Sequence, residues 1–136
     1  MGGQQGWVGH ESSVPPERWG EPGPGEVVWR TLLSGDRTPS SGLTMGVTEI
    51  APGAPGLGHL HRHEPVEAYL VLDGTGELDL DGVTHPVERG SVVFVPSNVW
   101  HTVRNTGDDL LRLAYVFAVD SFDEVVYEFP DGDGPG

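Results

Sequence analysis

Apolar and polar positions alternate along most of this chain with the period of two that places successive side chains on opposite faces of a strand. The pattern predicts short strands over 26–33, 43–50, 66–72, 75–80, 91–95, 102–105, 110–119 and 125–129, separated by Gly, Pro, Asn and Asp. Asp81-Gly82, between the 75–80 run and Val83, has the composition of a type I′ hairpin turn. No stretch keeps a helical period for three turns. Many short strands at turn-marked intervals predict an all-β fold, an antiparallel barrel or jelly roll closed enough to protect its edges. There is no internal repeat, so a single barrel is expected.

Against this background, histidines and one glutamate form a pattern of their own. His61-x-His63 puts two rings on one face of a predicted strand, and Glu67 keeps the same parity. His101 ends a second apolar run, where a turn can return it to the same point. Any one of these residues reads equally well as an ordinary buried or solvated polar side chain. Together they supply three imidazoles and one carboxylate to one ion. That set suits a divalent transition metal, Fe, Mn, Ni, Co or Zn, with positions left open for water or substrate. Asn105 and backbone carbonyls are the expected partners that tune the ligands.

These residues resemble the two signatures of the cupin superfamily over about residues 43–119. The first is matched by Gly56, His61, His63, Glu67 and Gly74, with Gly56 one residue closer to His61 than is usual. The second is matched by Gly90, Pro96, His101 and Asn105, with Asn98 where Gly is usual, and Asn is the residue that best replaces Gly at positive φ. The resemblance implies a single-domain, metal-binding jelly-roll β-barrel and a homodimer. Within cupins, Glu67-x-Tyr69 in so short a chain is similar to dimethylsulfoniopropionate lyases and to natural-product-pathway cupins such as polyketide cyclases.

The remaining site candidates come from parity. Tyr69 follows Glu67 by two and is the candidate catalytic base, since a neighbouring cation can lower a phenol's pKa. Met45 and Glu49 on one strand, and Tyr115 and Phe117 on another, are candidate substrate contacts. His59 is placed at the pocket mouth. Arg62, Arg104 and His85 read as surface groups.

Composition narrows the function further. The chain has 136 residues, seven arginines and no lysine against 21 acidic residues, for a net charge of −14. That balance argues against a nucleic-acid partner, and the lack of lysine excludes Schiff-base chemistry. With no cysteine there is no disulfide, thiolate ligand or cysteine nucleophile. No apolar run approaches the roughly 18 residues of a membrane span, and no signal-peptide pattern opens the chain, so a cytoplasmic protein is expected. Residues 1–25 are poor in apolar anchors and are expected as a loose arm before a barrel over 26–130, with 131–136 as a disordered tail.

Three classes follow. The first is metal-assisted proton abstraction from a small organic molecule, by a lyase, isomerase or cyclase. The second is an oxygen-dependent dioxygenase, and the third a non-catalytic small-molecule-binding or accessory cupin.

Overall fold

Side-chain alternation is most regular where two sheets face each other. In the computed structural model, which describes residues 6–19, 23, 26–53 and 60–130, nine strands form. They are β1 (Glu17–Trp19), β2 (Val27–Leu33), β3 (Thr44–Ile50), β4 (Glu67–Asp73), β5 (Thr75–Leu80), β6 (Val83–Glu88), β7 (Val92–Val95), β8 (His101–Asn105) and β9 (Leu111–Phe117). Two single turns of 3-10 helix, Glu11–Ser13 and Phe122–Glu124, complete the described elements. The strands form a six-stranded sheet, β1-β2-β3-β9-β4-β7, and a three-stranded sheet, β6-β5-β8, all antiparallel.

The fold is all-β, as expected, and the inward parity of each strand builds the core. Glu67, Tyr69 and Val71 of β4 are buried while Ala68 and Leu70 are exposed. On β9, Leu111, Leu113, Tyr115 and Phe117 point inward, where they join Leu78, Val87 and Val103 of the smaller sheet in one cluster.

Turn chemistry sets the register. Asp81 and Gly82 have φ of 50° and 80°, the double positive that a type I′ turn requires. Asn98 has φ 61° and donates its N–H to the carbonyl of His63 at 2.8 Å, so Asn does serve where the signature has Gly. That bond anchors the ligand segment to the turn before β8.

Two expectations change. The histidine segment forms no continuous strand and makes only isolated bridges, His61 with His101 and Arg62 with Glu128. Residues 125–129 are not a strand either. Glu124 accepts the N–H of Ser121 at 2.9 Å, and this local bond folds the chain into a 3-10 turn just before that stretch.

Contacts join the described part of the arm to the barrel. β1 pairs with β2, Arg30 donates to the carbonyl of Val14 at 3.2 Å, and Glu11 pairs with Arg112. Strand addition and ion pairs hold it, which a count of apolar anchors does not see; Trp7 itself stays 46% exposed.

Candidate metal centre

The cluster is assembled by one reciprocal backbone contact. His61 and His101 exchange N–H···O bonds of 3.1 and 2.9 Å, which fixes the segment before β4 against the start of β8. In an extended segment residues 61 and 63 share a side, so both rings face His101, with centroids 4.3 and 4.8 Å from its ring. The ligand-capable atoms of His61, His63 and His101 lie within 4.8 Å of one another. Glu67, the first residue of β4, brings Oε1 to 3.1 Å from Nε2 of His63 and 3.4 Å from Nε2 of His101.

The tautomers suit a cation. Nδ1 of His63 lies 2.8 Å from the carbonyl of Pro65, and Nδ1 of His101 lies 2.8 Å from that of Val99. A carbonyl only accepts, so each Nδ1 carries its proton and each Nε2 presents a lone pair to the cluster. Nε2 of His101 is buried without a hydrogen-bond partner. A lone pair facing a carboxylate at about 3 Å needs positive charge between them, from a second proton or from an ion. Donors on an ion bound at about 2.1 Å sit about 3 Å apart, so the spacing fits. Asn105, expected to tune the ligands, instead donates to the carbonyls of Ile50 and Asp109 at 2.8 and 2.7 Å and braces a turn. The backbone carbonyls of Pro65 and Val99 take the tuning positions.

Electrostatics follow the same contacts. Burial opposes charge on His63, but the hydrogen bond and charge of Glu67 outweigh it and raise its pKa above the ordinary imidazole value. Burial likewise works to raise Glu67, but its contacts with His101 and His63 prevail and lower it. Tyr69 is held well above the usual phenol range by burial and by the charge of Glu67.

A cavity of about 290 Å³ opens beside the cluster, lined by His61, Glu67 and Tyr69 together with apolar and aromatic side chains. Tyr115 lines it too. Three other substrate-contact candidates are displaced. Met45 and Glu49 lie on the opposite face of β3, since Thr48 and Ile50 line the cavity and Glu49 pairs outward with Arg30 and Arg112. Phe117 is fully buried behind His63, ring centroids 5.1 Å apart, as core and not as wall. His59 lies outside the described residues.

Sequence reasoning missed Trp29, Phe122 and Tyr127 in the wall. The first was legible, because Val27, Trp29 and Thr31 share one parity. Tyr127 reaches His61 and His63 from a non-strand segment, with centroids 5.2 and 5.4 Å away, and no periodicity marks it. Arg62 is not a plain surface charge: its guanidinium lies 4.6 Å over the Trp100 ring and 3.7 Å from Glu128.

With the geometry established, similarity to known proteins gives it a context. A family model described as a cupin domain matches residues 46–118. The dimethylsulfoniopropionate lyase DddW of Ruegeria pomeroyi is 38% identical over 121 residues, spanning 86% of this chain and 75% of the lyase. An oxalate-binding protein of Thermotoga maritima is 34% identical over 115 residues, spanning 82% of this chain and 93% of that protein. The crystal structure of the polyketide cyclase RemF from Streptomyces resistomycificus shares the fold with a TM-score of 0.73 at 23% identity, covering 93% of this chain and 86% of the cyclase. With more than half of its residues matched by that model and its two signatures meeting at one cluster, this chain belongs to the cupin family.

Proposed function

We propose that the protein is a divalent-metal-dependent lyase that cleaves dimethylsulfoniopropionate or a closely similar sulfonium carboxylate. The observation that carries this reading is a buried cluster of three imidazoles and a carboxylate at one wall of a cavity whose other walls are aromatic and aliphatic. His61, His63, Glu67 and His101 would hold the ion, and bound there it would act as a Lewis acid that acidifies the carbon next to a substrate carboxylate. No arginine lines the cavity among the described residues, so the rings of Trp29, Tyr115, Phe122 and Tyr127 are left to face a sulfonium. The similarity to the lyase DddW supports that choice of substrate.

Tyr69, two residues along β4 from Glu67, is the base in this reading. It takes the proton from the carbon beside the carboxylate. The freed electron pair becomes the carbon–carbon double bond, and the carbon–sulfur bond breaks with its pair on sulfur. Acrylate and neutral dimethyl sulfide leave, and the proton remains on Tyr69 until solvent removes it. Because burial and Glu67 keep the phenol protonated, the base form would require the positive charge that a bound ion would supply.

The test is anaerobic turnover of dimethylsulfoniopropionate by protein loaded with Zn(II) or Mn(II), with dimethyl sulfide measured in the headspace. Turnover without oxygen is expected. Tyr69→Phe should keep about one ion per chain and lose about 100-fold or more in kcat, the usual worth of a positioned base. His101→Ala should lose the ion as well. Strict dependence on oxygen would replace this reading with the dioxygenase, and an ion-loaded protein that binds the substrate but never converts it would replace it with a binding module.

A further inference from the structure

The cavity is longer than the molecule assigned to it above. Pairing across the larger sheet arranges its wall in rungs two residues apart, about 7 Å each. Glu67, beside the histidines, marks the first rung, and Tyr69 with Tyr115 forms the second. Leu113, Thr48 and Trp29 pair in line as the third, and Ile50 with Val27 makes the fourth. The backbone of this wall thus runs about 20 Å along the strands away from Glu67.

Dimethylsulfoniopropionate covers little of that length. Three bonds separate its carboxyl carbon from sulfur, a reach of about 4 Å, close to the step between neighbouring Cα atoms. With the carboxylate at the cluster, the sulfonium comes to the second rung and no farther. Volume agrees: an apolar cavity of about 150 Å³ holds benzene, and dimethylsulfoniopropionate is only slightly bulkier, so roughly a third of this cavity lies beyond it. The whole measures about 290 Å³.

What lies beyond is hydrocarbon. Val27, Ile50 and Leu113 are 4%, 1% and 3% exposed and belong to the core. The third and fourth rungs carry no charged side chain among the described residues. Trp29 and Thr48 are half-buried, as are Phe122 and Tyr127 of the segment after β9, so the cavity meets solvent along these four and a chain enters without any segment lifting.

We propose that the third and fourth rungs form an apolar subsite for an alkyl arm on sulfur, and that the site takes sulfonium propionates in which one alkyl group is longer than methyl. This deepens the proposed function and rests on its placing the carboxylate at the cluster. The reaction keeps its balance: Tyr69 takes the proton, the carbon–carbon double bond forms, and the carbon–sulfur bond breaks with its pair on sulfur. Acrylate and a neutral alkyl methyl sulfide leave. Aromatic rings face the cation, while Leu113, Ile50 and Val27 cover the arm.

Binding tests the subsite without turnover. Straight-chain carboxylates from propionate to octanoate are titrated into the zinc-loaded full chain by calorimetry. Affinity should rise at least 2-fold for each of the first few added methylenes, against about 4-fold for a fully buried one, and level off once the chain passes Trp29 and Thr48. Hexanoate should show proton contacts in NMR to the methyls of Ile50 and Val27 that propionate does not. Thr48→Phe, at a half-exposed position, should weaken hexanoate more than propionate. Affinity that stays flat along the series, or hexanoate that leaves those methyls untouched, overturns the proposal.

Turnover then compares 3-(methylpentylsulfonio)propionate with the dimethyl compound by acrylate release. The longer substrate should have a kcat/KM at least 3-fold higher, and a lower value would overturn the subsite. If both are inert while the carboxylate series still climbs, the proposed reaction fails and the subsite stands. If the dimethyl compound is cleaved and the series is flat, the reverse holds.

Discussion

Glu67 is the residue on which the cluster's charge balance turns. It sits between His63 and His101, lowered by their contacts, while it raises His63 in return. The sign of the pH effect follows for the ion-free protein. The raised His63 contributes stability that is complete below its ordinary value of 6.5 and is lost as pH rises through the raised value. The lowered Glu67 contributes stability that is present above 4.5 and is lost as pH falls through the lowered value. Chelator-treated protein should therefore have its highest Tm, as far as this pair decides it, between these two values, and Tm should decline toward pH 9. Thermal melts of Glu67→Gln should show that alkaline decline flattened; an unchanged slope would place its cause elsewhere. At this scale His61, His63 and Glu67 could be grouped because a period of two needs no tertiary knowledge, whereas His101 joins them only through the turn that ends a second apolar run. Met45 and Glu49 were misread because parity shows which residues share a face, and not which face is inside.

β3 shows why that choice went the other way. Its inward set, Thr44, Gly46, Thr48 and Ile50, is on average smaller than Met45, Val47 and Glu49. The reason lies on the neighbouring strand. Tyr115 of β9 is paired with Gly46 and lays its ring over it, so that a Cβ at residue 46 would meet the Tyr115 ring and hydroxyl and the carbonyl of Arg30. Backbone on one side leaves no room to yield. Gly46→Ala should destabilise the protein by about 1–3 kcal/mol, the usual cost of overpacking, read as a lower urea midpoint at unchanged m. Strands with clean alternation, such as β4 and β9, were legible as elements, and so was the Asp81-Gly82 hairpin. The stretch at 125–129 was not, because its apolar spacing matches a strand while a single side-chain-to-backbone bond at Ser121 determines its path.

For the whole molecule, fold class and family could be read from turn-marked strands and two signatures, whereas the cavity could not. Its wall draws on residues as far apart as Val27 and Tyr127, and only the closure of two sheets brings them together. The outer face of the larger sheet has a consequence of another kind. Leu70, Val92 and Phe94 are 43%, 75% and 60% exposed, and β7, which carries two of them, is the last strand of its sheet. Such an edge is a template for another chain, yet every copy carries a net charge of −14. Mutual repulsion thus keeps copies apart in dilute electrolyte, and its range shrinks from about 30 Å at 0.01 M ionic strength to about 3 Å at 1 M. Light scattering should accordingly rise with added salt and fall again on dilution, making this a protein whose colloidal behaviour is governed by ionic strength; scattering that stays flat would mean that the sticky border is shielded by something other than charge.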